Sequence, residues 1–86
     1  MTDSTAPAPD IVVDVAEFRR AVGANIRAHR KAVGMSQTLL AKRAGISRAR
    51  LVQVEAGAVN LTLDWAATVA VALGVPAAAL FTGDAT

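Results

Sequence analysis

Apolar residues recur at helical spacing along most of the chain, and short polar residues and glycines punctuate them. Phe18, Val22, Ile26 and Val33, with alanines between, mark one face of a first helix. Asp14 and Glu17 stand ahead of it at capping-box spacing, and Gly34 suits a left-handed closing position. Ser36 can cap a second helix running through Ala44, with Leu39, Leu40 and Ala41 as its apolar content. Gly45 then makes a turn, Ile46 can plug the gap between helices, and Ser47 caps a third helix ending at Gly57. Thr62 caps a fourth helix ending at Gly74, and Pro76 suits the first turn of a short fifth, "PAAALF". No segment alternates with period two. The pattern therefore predicts an all-α chain of five helices around one core.

Composition sets the limits of that core. At 86 residues and 53% hydrophobic, the chain can build one small domain. The opening "MTDSTAPAPD", rich in Pro, Ala and small polar groups, predicts a disordered acidic tail over residues 1–13. The domain is expected over 14–82, with a short C-terminal tail at 83–86. There is no cysteine and one histidine, His29, so neither disulfides nor a thiolate metal site is expected, and no other metal or cofactor. No apolar run approaches the roughly 18 residues of a membrane span, and the acidic start lacks the basic region of a signal peptide. A soluble, cytoplasmic protein is the expectation.

Charge changes the picture more. The net charge is only +2, yet residues 1–18 carry −4, residues 19–57 carry +8 and the remainder −2. All nine Lys and Arg residues lie in the middle block, with Glu55 as its sole acid. A basic block inside a small folded chain points to a polyanionic partner.

The third helix says which polyanion. At about 100° per residue, Leu51 and Val54 share a face with Glu55 beside them. Ala49 and Gln53 point the other way, flanked by Arg50 and Val52, and Arg48 occupies the exposed first turn. Arg pairs with guanine, Gln with adenine, and a small side chain fits beside a thymine methyl group. The second helix adds first-turn N–H groups at Ser36-Gln37, which suit a phosphate, and Lys42 and Arg43 near its other end. Helix, glycine turn and second helix make the helix-turn-helix spacing. Burial of Glu55 beside the core calls for a cationic partner.

From about Val22 to Phe81 the chain resembles the phage Cro and repressor type of helix-turn-helix, the xenobiotic-response-element family. The resemblance is carried by "IRAHRKAVGMSQTLLAKRAGISRARLVQVEAG" and "ALGVPAAALF". It implies a five-helix, lambda-repressor-like fold whose third helix reads double-stranded DNA. By position, Gln37, Arg48, Ala49 and Gln53 would lie at the bases, with Arg50 nearby. Ser36, Arg43, Lys42 and Arg27 become phosphate candidates, and Arg30 pairs with Glu55. Two positions depart from the family: Leu61 stands where a proline is usual, and His29 where an apolar residue is common.

The fourth helix, "DWAATVAVALG", is apolar nearly all round. With Ala66, Val69, Ala70 and Leu73 turned to the core, Trp65, Val71 and Ala72 are left over, as are Ala78 and Phe81 beyond it. A second apolar face in so small a helix predicts homodimerisation. The reading is a dimeric, sequence-specific DNA-binding regulator without a small-molecule effector. The alternatives are an antitoxin or protein-bridging module using the helix 4–5 surface, and a restriction–modification controller. Catalysis is not expected, since no paired carboxylates, phosphate-cradling glycine loop or nucleophile–base set is present.

Overall fold

Each α-helix begins where a short polar side chain takes up a free N–H group. The computed structural model describes residues 14–82, so the predicted tails at 1–13 and 83–86 lie outside the described residues. Asp14 caps α1 (Val15–Ala32), its Oδ1 accepting from the N–H groups of Ala16 at 3.0 Å and Glu17 at 3.2 Å. Ser36 caps α2 (Gln37–Ala44), Ser47 caps α3 (Arg48–Glu55) and Thr62 caps α4 (Leu63–Leu73). No strand occurs among the described residues.

The fifth helix is not an α-helix. Ala77–Leu80 form one 3-10 turn after Pro76, with Ala79 N–H bonded to Pro76 and Phe81 N–H to Ala78. Four residues are too few to propagate an α-helix, whose first turn costs more than it returns. The turn drops Leu80 fully into the core.

That core is Val22 and Ile26 from α1, Leu40 and Ala41 from α2, Leu51 and Val54 from α3, and Ala66, Val69, Ala70 and Leu73 from α4, with Leu80. Ile46 and Leu61 pack at its margin. α1 packs on α3 and on the 3-10 turn, while α2 packs on α3 and α4.

The predicted face of α1 needs correction. Phe18 is 48% exposed and Val33 50% exposed. Val33 is the C-terminal cap, already off the helix, and Phe18 lies at the open end, where its ring stacks on Phe81 at 6.4 Å. The buried stripe is instead Val22, Asn25, Ile26 and Arg30, two of them polar. Both polar residues are partnered. Asn25 Nδ2 donates to the Leu80 carbonyl at 3.0 Å and to the Thr82 carbonyl, tying the last turn to α1.

Gly23 decides how close α1 and α3 come. A Cβ there would collide with the backbone carbonyl of Val54 and lie 2.8 Å from that of Glu55. One turn earlier on α1, the left-handed Gly57 (φ +76°) sits so near Arg20 that its own Cβ would be 2.9 Å from the Arg20 Cα. Two glycines thus seat the C-terminal end of α3 directly on α1.

Across this seam Arg30 and Glu55 form a two-pronged ion pair. Arg30 Nε donates to Glu55 Oε2 at 2.7 Å and Nη2 to Oε1 at 2.9 Å, while Nη1 donates to the Met35 carbonyl at 2.8 Å. Hydrogen bonding to Glu55 raises the Arg30 pKa above its ordinary value, against burial, which lowers it; attraction between the charges adds to the rise. Arg30 joins α1, the α1–α2 turn and α3 through one side chain.

Two stability outcomes follow. Replacing a helical glycine by alanine normally adds about 1 kcal/mol, yet Gly23→Ala should destabilise by about 1–3 kcal/mol, because backbone must move. Thermal melting decides it: a higher Tm would mean the seam has room. Glu55→Ala leaves Arg30, a residue only 7% exposed, without its carboxylate. The expected cost is about 3 kcal/mol, a drop of roughly 12 °C or more in Tm for a domain this size. A nearly unchanged melt would show that water replaces the carboxylate.

Candidate nucleic-acid interface

The turn between α2 and α3 is built by Gly45, which adopts φ +67° after Ala44. The N–H groups of Gly45 and Ile46 bond back to Lys42 and Ala41, closing α2 so that α3 can leave at an angle. Leu40, Ala41, Leu51 and Val54 hold the two helices from below. Their other faces remain at the surface.

On α3, Arg48, Ala49, Val52 and Gln53 are exposed, as is Ala56 just past its end, so the outward face sets one amide and one guanidinium among small and apolar side chains. It carries no acid. Lys42 and Arg43 at the end of α2 and Arg27 on α1 are also exposed. Ser36 is exposed, and its Oγ accepts from the Leu39 N–H at 3.0 Å, which leaves its hydroxyl hydrogen available to donate. Among the described residues, no cluster of His, Cys, Asp or Glu is arranged to hold a metal ion, and no helix is long and apolar enough to cross a membrane.

Two expected readers are engaged within the chain. Arg50 is half-buried, and its Nη2 donates to the Asn60 carbonyl at 2.9 Å, steadying the loop after α3. Its place on the helix carries the guanidinium sideways, toward the loop that leaves α3, rather than out with Ala49 and Gln53. Gln37 is also half-buried; its Nε2 donates to Glu55 Oε1 at 3.1 Å. Gln37, Arg27, Arg30, Val52, Glu55 and Ala56 line a polar notch of about 330 Å³ between the start of α2 and α3. Neither hydrogen bond is visible in helical periodicity, because both partners come from other elements.

The residues expected at a dimer surface divide. Val71 is 81% exposed and Ala78 is exposed, whereas Trp65, Ala72 and Phe81 are half-buried against the chain's own core. The indole Nε1 of Trp65 is buried without a partner among the described residues. Leu63, 76% exposed, and Ala67 fall on one row with Val71 at four-residue intervals. Their four-residue spacing already sets these two on that row in the sequence.

Among known proteins, a helix-turn-helix family matches residues 26–80, more than half of the chain. Similar structures include the restriction-modification controller protein C.AhdI from Aeromonas hydrophila. It is 33% identical, with 73% of this chain and 96% of that one covered and a TM-score of 0.72. The hypothetical transcription factor NHTF from Neisseria is 32% identical over 88% of this chain and 87% of its own, with a TM-score of 0.74. The clp gene regulator ClgR from Corynebacterium glutamicum is 30% identical over 73% and 67%, at 0.70. No match is found among proteins of curated function. With four capped helices in the same arrangement and an acid-free outer face on the third, the chain belongs to the HTH_3 helix-turn-helix family and is a DNA-binding transcriptional regulator.

Proposed function

We propose that this regulator places α3 in the major groove as a homodimer on a palindromic operator. The outward face of α3 carries the reading: Arg48, Ala49 and Gln53 stand exposed together with no acid among them. Arg48 suits a guanine edge and Gln53 an adenine edge, while Ala49 permits close approach beside a thymine methyl group. Arg43, Lys42 and Arg27 serve the phosphates, as do Ser36 and the first-turn N–H groups of α2. Arg50 acts from the side, bracing the loop, and Arg30 with Glu55 holds α3 at its angle. A cytoplasmic location goes with a DNA partner, and no small-molecule effector is invoked.

The partner subunit is a second copy of the chain, docked through the exposed row Leu63, Ala67 and Val71. An exposed apolar row on a helix whose other face is already buried needs a cover. Two-fold symmetry then sets two α3 helices about one helical turn of DNA apart. A narrower reading, a restriction–modification controller, is favoured by the likeness to C.AhdI, nearly all of whose length is covered. Under that reading the preferred sites fall beside restriction and modification genes.

Titration of variants against operator and scrambled duplexes at fixed salt separates the roles. Gln53→Ala and Arg48→Ala should each narrow the gap between the two duplexes, by about 1–3 kcal/mol per site contacted. Arg43→Ala should weaken both duplexes alike and lower the salt slope by roughly one contact. If neither α3 substitution alters the specificity ratio, another face reads the DNA. For the dimer, sedimentation should give twice the chain mass, and Val71→Glu should yield a folded monomer. A monomeric parent chain would instead favour a different protein on this face, as in an antitoxin or bridging module.

A further inference from the structure

Between the start of α1, the loop after α3 and the closing turn lies a groove of about 290 Å³. Val22, Val54, Leu61 and Phe81 are among its walls, and Val15 and Phe18 line it while staying exposed. Apolar side chains left open to water around a concavity cost free energy that an apolar occupant removes.

The lining holds one charge, Arg19, and no acid. Arg19 Nε is closed to water and has no hydrogen-bond partner among the described residues. A guanidinium can only donate, and a buried donor without an acceptor is costly. Arg30 in this same chain shows what that edge of the group takes, since its Nε and Nη2 together grip both oxygens of a carboxylate. One cation in apolar surroundings balances the single charge of a carboxylate, whereas a phosphate monoester carries nearly twice as much. Size narrows the choice further. A dry apolar cavity of about 150 Å³ accepts benzene, so this groove suits a molecule of roughly ten to twelve non-hydrogen atoms.

We propose that this groove binds a small monocarboxylate with an apolar body, a medium-chain fatty acid, and that Arg19 holds the carboxylate. The tail lies against Val22, Leu61 and the stacked rings of Phe18 and Phe81. Val54 precedes Glu55 on α3, so a molecule held here also bears on the seam that seats α3. The walls come from separate stretches of the chain, and for that reason no sequence spacing marks the site. The DNA-binding reading above does not depend on it.

Octanoate has the required size and charge and is the probe, with octanol and octylamine as uncharged and cationic controls. In NMR titrations of the full chain, the Arg19 Nε–H and the backbone amides of Phe18 and Leu61 should shift saturably with octanoate. Octanol should bind about tenfold more weakly or worse, and octylamine more weakly still. Arg19→Met keeps the apolar stem, so it should lose the tenfold advantage of octanoate and bind octanol as before. Octanoate at ten times its Kd should raise the Tm of the parent chain by about 5 °C or more. The comparison of octanoate with octanol on the parent needs no variant and stands if Arg19→Met fails to fold. Millimolar octanoate that leaves the Arg19 Nε–H and the groove amides unshifted overturns the proposal; a second copy or another part of the chain then closes the groove. Equal binding of octanoate and octanol, or of octanoate to the parent and to Arg19→Met, overturns it too, because the carboxylate is then not read.

Discussion

The contact between Arg30 and Glu55 is the constraint on which the rest of this domain depends. A buried charge is costly, and the two-pronged geometry offsets that cost only because both helices bring their groups to one place. Arg30 can reach Glu55 because Gly23 lets α1 and α3 touch, and because Gly57 turns away directly over Arg20. Once seated, the pair fixes the angle of α3, and through the Met35 carbonyl it also fixes the turn that leads into α2. Both helices that face outward are thus referred to one side chain on α1.

A division of labour among the arginines follows. Arg30 is structural, Arg50 braces the loop after α3 through Asn60, and Arg48 and Arg43 remain exposed. All four belong to one basic block, and charge counting treats them alike. Their difference lies in what each can reach. A guanidinium pointing along the seam between helices finds a carboxylate or a carbonyl, and one on the open face finds only water until a partner arrives.

The polar members of the α1 stripe show the same principle. Asn25 looks out of place among apolar neighbours, yet it supplies donors to two backbone carbonyls that the closing 3-10 turn leaves without helical partners. A buried carbonyl without a partner is expensive, and an amide close by removes that expense. The last turn is held to the first helix by this side chain, by Leu80 in the core and by Phe81 stacked on Phe18.

Local rules made much of this legible in the residues alone. Asp14, Ser36, Ser47 and Thr62 start the helices because each side chain satisfies an N–H within its own first turn, and Gly34, Gly45, Gly57 and Gly74 end them with positive φ. The buried faces of α3 and α4 were legible for the same reason, since helical periodicity is a local property. Tertiary structure alone decided the rest. It left Phe18 and Val33 exposed, buried Asn25, shortened the last helix to a single turn, and drew Gln37 and Arg50 to partners 18 and 10 residues away. Those outcomes depend on distances between elements far apart in the chain, and no local pattern encodes a distance that arises only once the helices have packed.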